Sequence, residues 1–243
     1  MALDFPSSPT NGQIYGNYYY DSSRGVWRAN APLAAGIPQG GAANYILTKT
    51  TATDFDTSWQ PGPGLVPVIP TSVSSTGGSI SYNSATGKIT ATGANTAIVI
   101  DGVFTSSYTN YRIVVNDTAG SDYCYFRSVN AGTVLTSASY SYQSLGAQAG
   151  SLFYASGFYD AAATFIRLSA MEANQSARAF DVFSPFLSSQ RTSLIGNGRW
   201  STASPTTWTF SGAVNTASTT TGFSLLPPSG TFAQTIMVYG YKD

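Results

Sequence analysis

From Ser79 onward, short apolar or aromatic runs alternate with Gly, Asn, Ser and Asp, and this spacing limits the fold more than any other feature of the chain. Apolar runs of a few residues, each closed by turn formers, read as strands rather than helices. SISYN and KITATG flank SATG, which predicts a hairpin with Gly87 at positive φ in its turn. Further strands are predicted at Thr96 to Ile100, Tyr111 to Asn116, Tyr123 to Val129, Ala138 to Gln143, Leu152 to Phe158, Thr164 to Met171, Ala179 to Phe183, Arg191 to Ile195, Thr206 to Phe210, Gly222 to Leu226 and Gln234 to Tyr241. Period-two alternation puts Tyr111, Ile113 and Val115 on one face, and Ile166, Leu168 and Ala170 on another with Arg167 opposite. Roughly a dozen strands at near-regular spacing predict an all-β domain, an antiparallel β-sandwich of jelly-roll type.

The composition agrees with this reading. Charged residues make up 9% of the chain, against roughly 25% in ordinary globular proteins. The polar surface must therefore be built from Ser, Thr, Asn, Gln and Tyr, and Thr, Tyr, Val and Ile favour a pleated strand. Eleven basic residues balance eleven acidic ones without a long run of either sign, so nothing here suits a nucleic-acid backbone or an anionic membrane surface. No segment approaches the ~18 continuous apolar residues of a membrane span, and MALDFPSSPTNG lacks the basic and apolar regions of an export signal. The expectation is a soluble chain with neither nucleic acid nor membrane insertion among its partners. Cys124 is the single cysteine. It can form no internal disulfide or thiolate cluster and reads as a small buried hydrophobe.

The first 60 residues differ in texture. Tyr15, Tyr18, Tyr19, Tyr20 and Trp27 cluster around Asp21-Ser22-Ser23-Arg24-Gly25, which predicts a short hairpin of YYYD and VWRA. Four of the ten residues from Pro61 to Pro70 are proline. Because proline fixes φ and lacks an amide donor, that stretch is predicted to be extended, a semi-rigid spacer outside any core. The division that follows is residues 1–35 as an N-terminal attachment module, 36–78 as connector and Pro/Gly-rich linker, and 79–243 as the C-terminal β-domain.

Candidate chemistry is sparse. The chain has no histidine, which removes the Ser-His-Asp and Cys-His arrangements and the commonest general base. It has no GxSxG elbow, no phosphate-cradling GxxxxGK[ST] loop and no GxGxxG. Glu172 is the only glutamate; Asp54 and Asp56 would share a strand face, and Asp117 and Asp122 bracket a predicted turn, where aspartate ordinarily bonds backbone amides. Asn116-Asp117-Thr118 and Asn174-Gln175-Ser176 match a glycosylation triplet, a pattern that arises by chance. The reading is a non-enzyme with no catalytic residue, metal or cofactor, and a carboxylate-based glycan depolymerase is the enzymatic alternative. Aromatics are the remaining signal, with 16 Tyr, 13 Phe and 4 Trp. Tyr140, Tyr142, Trp200 and Trp208 stand among small polar residues and are the candidate receptor or glycan surface, the alternative being burial in a core or subunit interface.

Three segments resemble bacteriophage tail fibre and minor tail proteins. LDFPSSPTNGQIYGNYYYDSSRGVWRA is similar to an N-terminal module of that group. Ile37-Pro38-Gln39-Gly40-Gly41, Ile46-Leu47-Thr48-Lys49 and Asp54-Phe55-Asp56-Thr57-Ser58-Trp59 resemble its connector. GVFTSSYTNYRIVV, FSPFLSSQRTSLIG and GFSLLPPSGTFAQTIMVYGYKD resemble the distal β-sandwich, whose chain closes on a VYGY strand.

The resemblance implies a virion protein of the tail, assembled in the host cytoplasm and homotrimeric, acting as a host adhesin toward a surface glycan or protein receptor. Its N-terminus would dock on a tail adaptor or other tail protein, with Phe5, Tyr15, Tyr19 and Trp27 as candidate contacts. In the connector, Gly40 and Gly41 permit close backbone approach, while Ile37, Ile46, Leu47, Phe55 and Trp59 are too few to form a core in one chain. They are the candidate trimer contacts. The alternative within the same group is a head fibre, decoration or collar protein with a structural role.

Overall fold

The computed structural model describes residues 5–16, 18–29, 45–50, 57–62, 64–120, 122–137, 139–148, 158–172, 176–200 and 206–242. The chain divides into two compact units, Met1–Gly62 and Pro63–Asp243. Among the described residues all regular structure is strand.

In the first unit β1 (Ile14–Tyr15), β2 (Tyr18–Asp21) and β3 (Val26–Ala29) form a three-stranded antiparallel sheet. The predicted YYYD and VWRA hairpin is present. Its turn closes because Asp21 Oδ1 accepts bonds from the Ser23 amide at 3.1 Å and the Ser23 hydroxyl at 2.5 Å, and because Gly25 takes φ +66°. The Ser23 hydroxyl, together with Arg24, holds the Asp21 carboxyl below its ordinary pKa. Phe5 stacks on Trp27 at 5.0 Å and meets Tyr18 edge-on at 5.2 Å, while Tyr20 leans on Trp27 at 5.4 Å. Strand alternation places Tyr19 on the other face of β2. A second hairpin pairs β4 (Tyr45–Lys49) with β5 (Thr57–Pro61), with Leu47 opposite Trp59. Ile37 and Phe55 of the connector lie outside the described residues.

The second unit is a large curled antiparallel sheet of fourteen strands. These are β6 (Gly64–Pro67), β7 (Ser72–Tyr82), β8 (Ile89–Asp101), β9 (Asn110–Ala119), β10 (Tyr123–Asn130), β11 (Thr133–Val134), β12 (Tyr140–Gln148), β13 (Phe158–Ala163), β14 (Ile166–Ala170), β15 (Ala177–Phe183), β16 (Ser193–Trp200), β17 (Thr206–Val214), β18 (Gly222–Leu226) and β19 (Phe232–Lys242). The main path runs β11-β10-β18-β8-β19-β9-β15-β16-β17-β12-β13, with β14 on β10, β6 on β19 and β7 on β8.

The sheet curls at β8. Its first half pairs with β19 and its second half with β18, while β7 follows it along the other edge with register shifts at Gly77. Such shifts bend and twist a strand pair. Gly77, Gly78 and Gly93 take positive φ at this corner, and the buried Asn95 amide donates to Thr92 O at 3.0 Å and Phe232 O at 3.1 Å. A Cβ on Gly78 would come within 2.6 Å of Asn95 Oδ1, so the corner requires glycine for space as well as for φ.

Curling brings β14 against β12, β16 and β17. Two glycines permit that approach: a Cβ on Gly212 would meet Ile166 at 2.7 Å, and one on Gly198 would meet Ser169 at 2.5 Å. The core between these surfaces holds Tyr111, Ile113, Val115, Phe126, Phe180, Val182, Phe210, Phe223, Ile236 and Val238, all fully or almost fully buried. Each large apolar side chain there contributes roughly 1.5–3 kcal/mol by leaving water.

Two sequence expectations change. Pro61–Pro70 is extended, but it is not a free spacer, since Gly64–Pro67 pairs with β19 and Val68 is buried with its amide on Val238 O at 2.9 Å. The apolar residues between the prolines supply the burial, and the edge position of β6 tolerates the missing donor at Pro67. Strands β12 and β16 run past their predicted ends through Gly146, Gly196 and Gly198. These glycines sit where a Cβ would collide with Trp208, Phe180 and Ser169 respectively, so they mark close packing where the sequence suggests turns.

Candidate interaction surface

Strands β12, β17, β16, β15, β9 and β19 lie side by side, and their register fixes which residues share a face. One row reads Gln143, Ser211, Ile195, Asp181, Arg112 and Tyr239; the next reads Leu145, Thr209, Asn197, Ala179, Val114 and Met237. Every residue of these two rows is exposed or half-buried. The alternate parity, Ser144, Phe210, Phe180, Ile113 and Val238 among others, is buried. The sheet therefore has a core face and an outer face.

These two rows carry one charged pair, and the exposed Arg199 stands in the adjoining row opposite Ala177 and Thr207. Arg112 and Asp181 lie opposite each other, with Arg112 Nε 3.6 Å from Asp181 Oδ1, and the Tyr241 hydroxyl donates to the same oxygen at 2.6 Å. Burial and this acceptor together raise the Tyr241 pKa. Toward the β12 side, small side chains leave a shallow open trough of about 320 Å³. Ser141, Gln143, Ser193, Ser211 and Ala213 give its floor from the outward parity. Hydroxyl and amide groups on rigid strands can hydrogen-bond a neutral ligand there, and the trough is lined by no Asp, Glu, Lys or Arg.

Of the receptor residues expected from sequence, Tyr142 lines this trough, and Tyr140 and Trp208 do not. Tyr140 has no solvent exposure. Its hydroxyl accepts from the Ser128 amide and donates to Leu135 O, both at 2.9 Å, and burial raises its pKa. Trp208 is also buried: its indole lies across Gly146, where a Cβ would come within 2.9 Å of ring atom Cε2, and meets Tyr123 edge-on at 6.0 Å. Tyr142 is half-buried against the core and leans on Phe165 at 6.1 Å. All three share the inward parity of β12 and β17, so the small polar residues beside them in sequence are the ones that face out. Trp200 ends β16, and its side chain lies outside what the structure describes.

Sequence reasoning also missed a buried polar cluster. Asp117 belongs to β9 and not to a turn. Its Oδ2 accepts from Arg178 Nη2 and from the Ser176 hydroxyl, and its Oδ1 accepts from Gln234 Nε2 at 2.8 Å. Arg178 Nε in turn donates to Ser169 Oγ at 3.0 Å. Burial pushes the Asp117 carboxyl up, opposed by the Arg178 guanidinium and the Ser176 and Gln234 bonds. Burial likewise pushes the adjacent Cys124 thiol up to about 11. Parity was the available signal: Asp117 continues the inward series of Tyr111, Ile113 and Val115, Arg178 that of Phe180 and Val182, and Gln234 that of Ile236 and Val238. Asp117, Arg178 and Gln234 have almost no solvent exposure, so the cluster is a structural element of the core. Arg167, expected opposite an apolar face, is buried as well and lies 3.4 Å above the Tyr123 ring.

Among the described residues no group of three His, Cys, Asp or Glu side chains could hold a metal ion. Asp54 and Asp56 lie outside the described residues. Comparison with known proteins finds no match to any family model, curated protein or solved structure.

Proposed function

We propose that this chain is a bacteriophage virion structural protein, a homotrimeric tail fibre that acts as a non-enzymatic host adhesin. In this reading the first unit anchors the protein to another virion protein, and the second is a jelly-roll-like β-sandwich presented to the host. The observation that carries it is the uncovered apolar surface of the first unit. Ile14 is 65% exposed, and Val26, Tyr15, Tyr45 and Ile46 are each at least 40% exposed, all on short strands with no second layer over them among the described residues. A small unit with this surface needs a partner to cover it. The resemblance to phage fibre modules supplies the kind of partner, another copy of the chain or a tail protein.

Recognition of the host is assigned to the serine and glutamine trough of the second unit. Neutral hydrogen bonds are its available force, so adsorption should change little between about 50 and 200 mM salt. The test is the effect of purified protein on adsorption of the phage to its host. An adhesin competes and slows adsorption, and Gln143→Ala with Ser211→Ala weakens that competition without lowering the melting temperature. Full adsorption in the presence of saturating protein would remove the adhesin role. Release of oligosaccharide from host polysaccharide would instead establish the depolymerase.

A second reading has its own support. Burial of Tyr140 and Trp208 removes two of the aromatic rings that a glycan would stack on. That favours a head fibre, decoration or collar protein, for which the same fold braces the particle and adsorption is unaffected.

A further inference from the structure

Two kinds of side chain meet at the trough. On its floor, the Gln143 amide and the Ser193 and Ser211 hydroxyls have no side-chain hydrogen-bond partner among the described residues. Around the floor the register sets apolar side chains. Ile195 stands opposite Ser211 and Phe183 opposite Ser193, so the two close the same side of the trough, while Leu145 follows Gln143 in the next outward position of β12. Ile195 and Leu145 are 50% and 49% exposed and Phe183 37%, where water-facing antiparallel strands ordinarily carry polar residues.

We propose that the trough binds an N-acetylated hexosamine of a neutral glycan. The inference rests on the host-recognition reading of the trough and names the chemistry of its ligand. Charge is the first argument. The trough is lined by no Asp, Glu, Lys or Arg, and the Arg112 and Asp181 pair beside Ile195 is closed within the face. Arg199 stands four residues beyond Ile195 on β16, about 14 Å away at ~3.4 Å per residue, farther than the ~8–10 Å over which exposed charges act at moderate salt. An acidic sugar therefore finds no cation on the trough. Size is the second argument. A volume of about 320 Å³ lies at the low end of the ~300–1,000 Å³ of small-ligand sites, room for a sugar ring and part of its neighbour.

The acetamido group is the part of such a ligand that satisfies floor and border together. Gln143 and Ile195 stand two strands apart across β17, ~10 Å between backbones at ~4.8 Å per strand. A glutamine side chain and an acetamido group fill that gap. The acetamido N–H and C=O match the two halves of the Gln143 amide, its methyl meets Ile195 and Phe183, and the ring hydroxyls bond Ser193 and Ser211. A plain hexose leaves the apolar border in water. A 6-deoxy sugar gives the border a methyl group and leaves the Gln143 amide unmatched.

Saturation-transfer NMR on the full chain tests this with the methyl glycosides of N-acetylglucosamine, N-acetylgalactosamine, glucose and rhamnose. At least one of the two N-acetyl sugars should bind, with its acetyl methyl receiving the strongest transfer, and glucose and rhamnose should bind about tenfold more weakly or not at all. Gln143→Ala should weaken binding about tenfold and Ile195→Ala about threefold, each with an unchanged melting curve, while Arg199→Gln should bind as the wild type does. Rhamnose binding equal to that of the N-acetyl sugars, or full binding by Gln143→Ala, overturns the acetamido assignment. If none of the four sugars binds and the protein still slows phage adsorption, this proposal fails and the adhesin reading stands. If an N-acetyl sugar binds through Gln143 and saturating protein leaves adsorption unchanged, the site is established and the adhesin reading fails.

Discussion

Strands β9 and β15 carry two ion pairs, one on each face, with the charges exchanged between the strands. Inside, Asp117 of β9 meets Arg178 of β15, both side chains fully buried; outside, Arg112 of β9 meets Asp181 of β15, with side chains 40% and 23% exposed. The residue types are the same and the consequences differ. A buried charge that loses its partner has no water to replace it, whereas an exposed one does. The inner pair is therefore a condition of folding, and the outer pair a condition of what the surface can touch.

Removing one inner partner should produce the largest effect. Arg178→Met leaves the Asp117 carboxylate without its cation and should cost about 3–5 kcal/mol, read as a lower denaturant midpoint. The same loss should be visible at Cys124, which packs beside Gln234 Nε2. Its thiol, raised to about 11 by burial, should resist alkylation in the native wild-type protein and react readily in the Arg178→Met variant. Equal resistance in both would mean that the cluster does not hold the core.

Tyr140→Phe comes next. It leaves the buried Ser128 amide without its acceptor and should cost about 1–3 kcal/mol. Host adsorption should not change, because the ring is not on the surface. A loss of adsorption with no change in stability would return Tyr140 to the receptor site. On the outer face, Asp181→Asn should change stability by less than about 1 kcal/mol, with the difference shrinking further in high salt. A loss comparable to that of Arg178→Met would show that the outer face is covered in the isolated protein.

The same two faces explain what the sequence revealed. Turns declare themselves through residues that only a turn requires: Gly25 and Gly87 mark both predicted hairpins, and both are present. Strand positions were legible because short apolar runs between turn formers leave few alternatives. Which face a polar or aromatic residue occupies was not legible from its immediate neighbours. Tyr140 and Trp208 stand beside Ser and Thr in the chain, yet alternation sends those neighbours outward and the rings inward. Asp117 reads as a turn residue beside Asn116 and Thr118, and only its place in the Tyr111, Ile113, Val115 series marks it as buried. The curl at β8 was also hidden, because it depends on Gly77, Gly78 and Gly93 meeting across two strands. The outer face was hidden for the same reason: Ile195, Leu145 and Phe183 come from three strands and become a surface only through their register.

The central claim is that the chain belongs to the virion, anchored by its first unit, and antibody labelling of phage particles in the electron microscope tests it most directly. Label on the tail, lost from particles assembled with residues 1–30 deleted, is the result the account expects. Label on the head or collar would keep the virion assignment and replace the adhesin by the structural reading, while particles with no label at all would contradict the account.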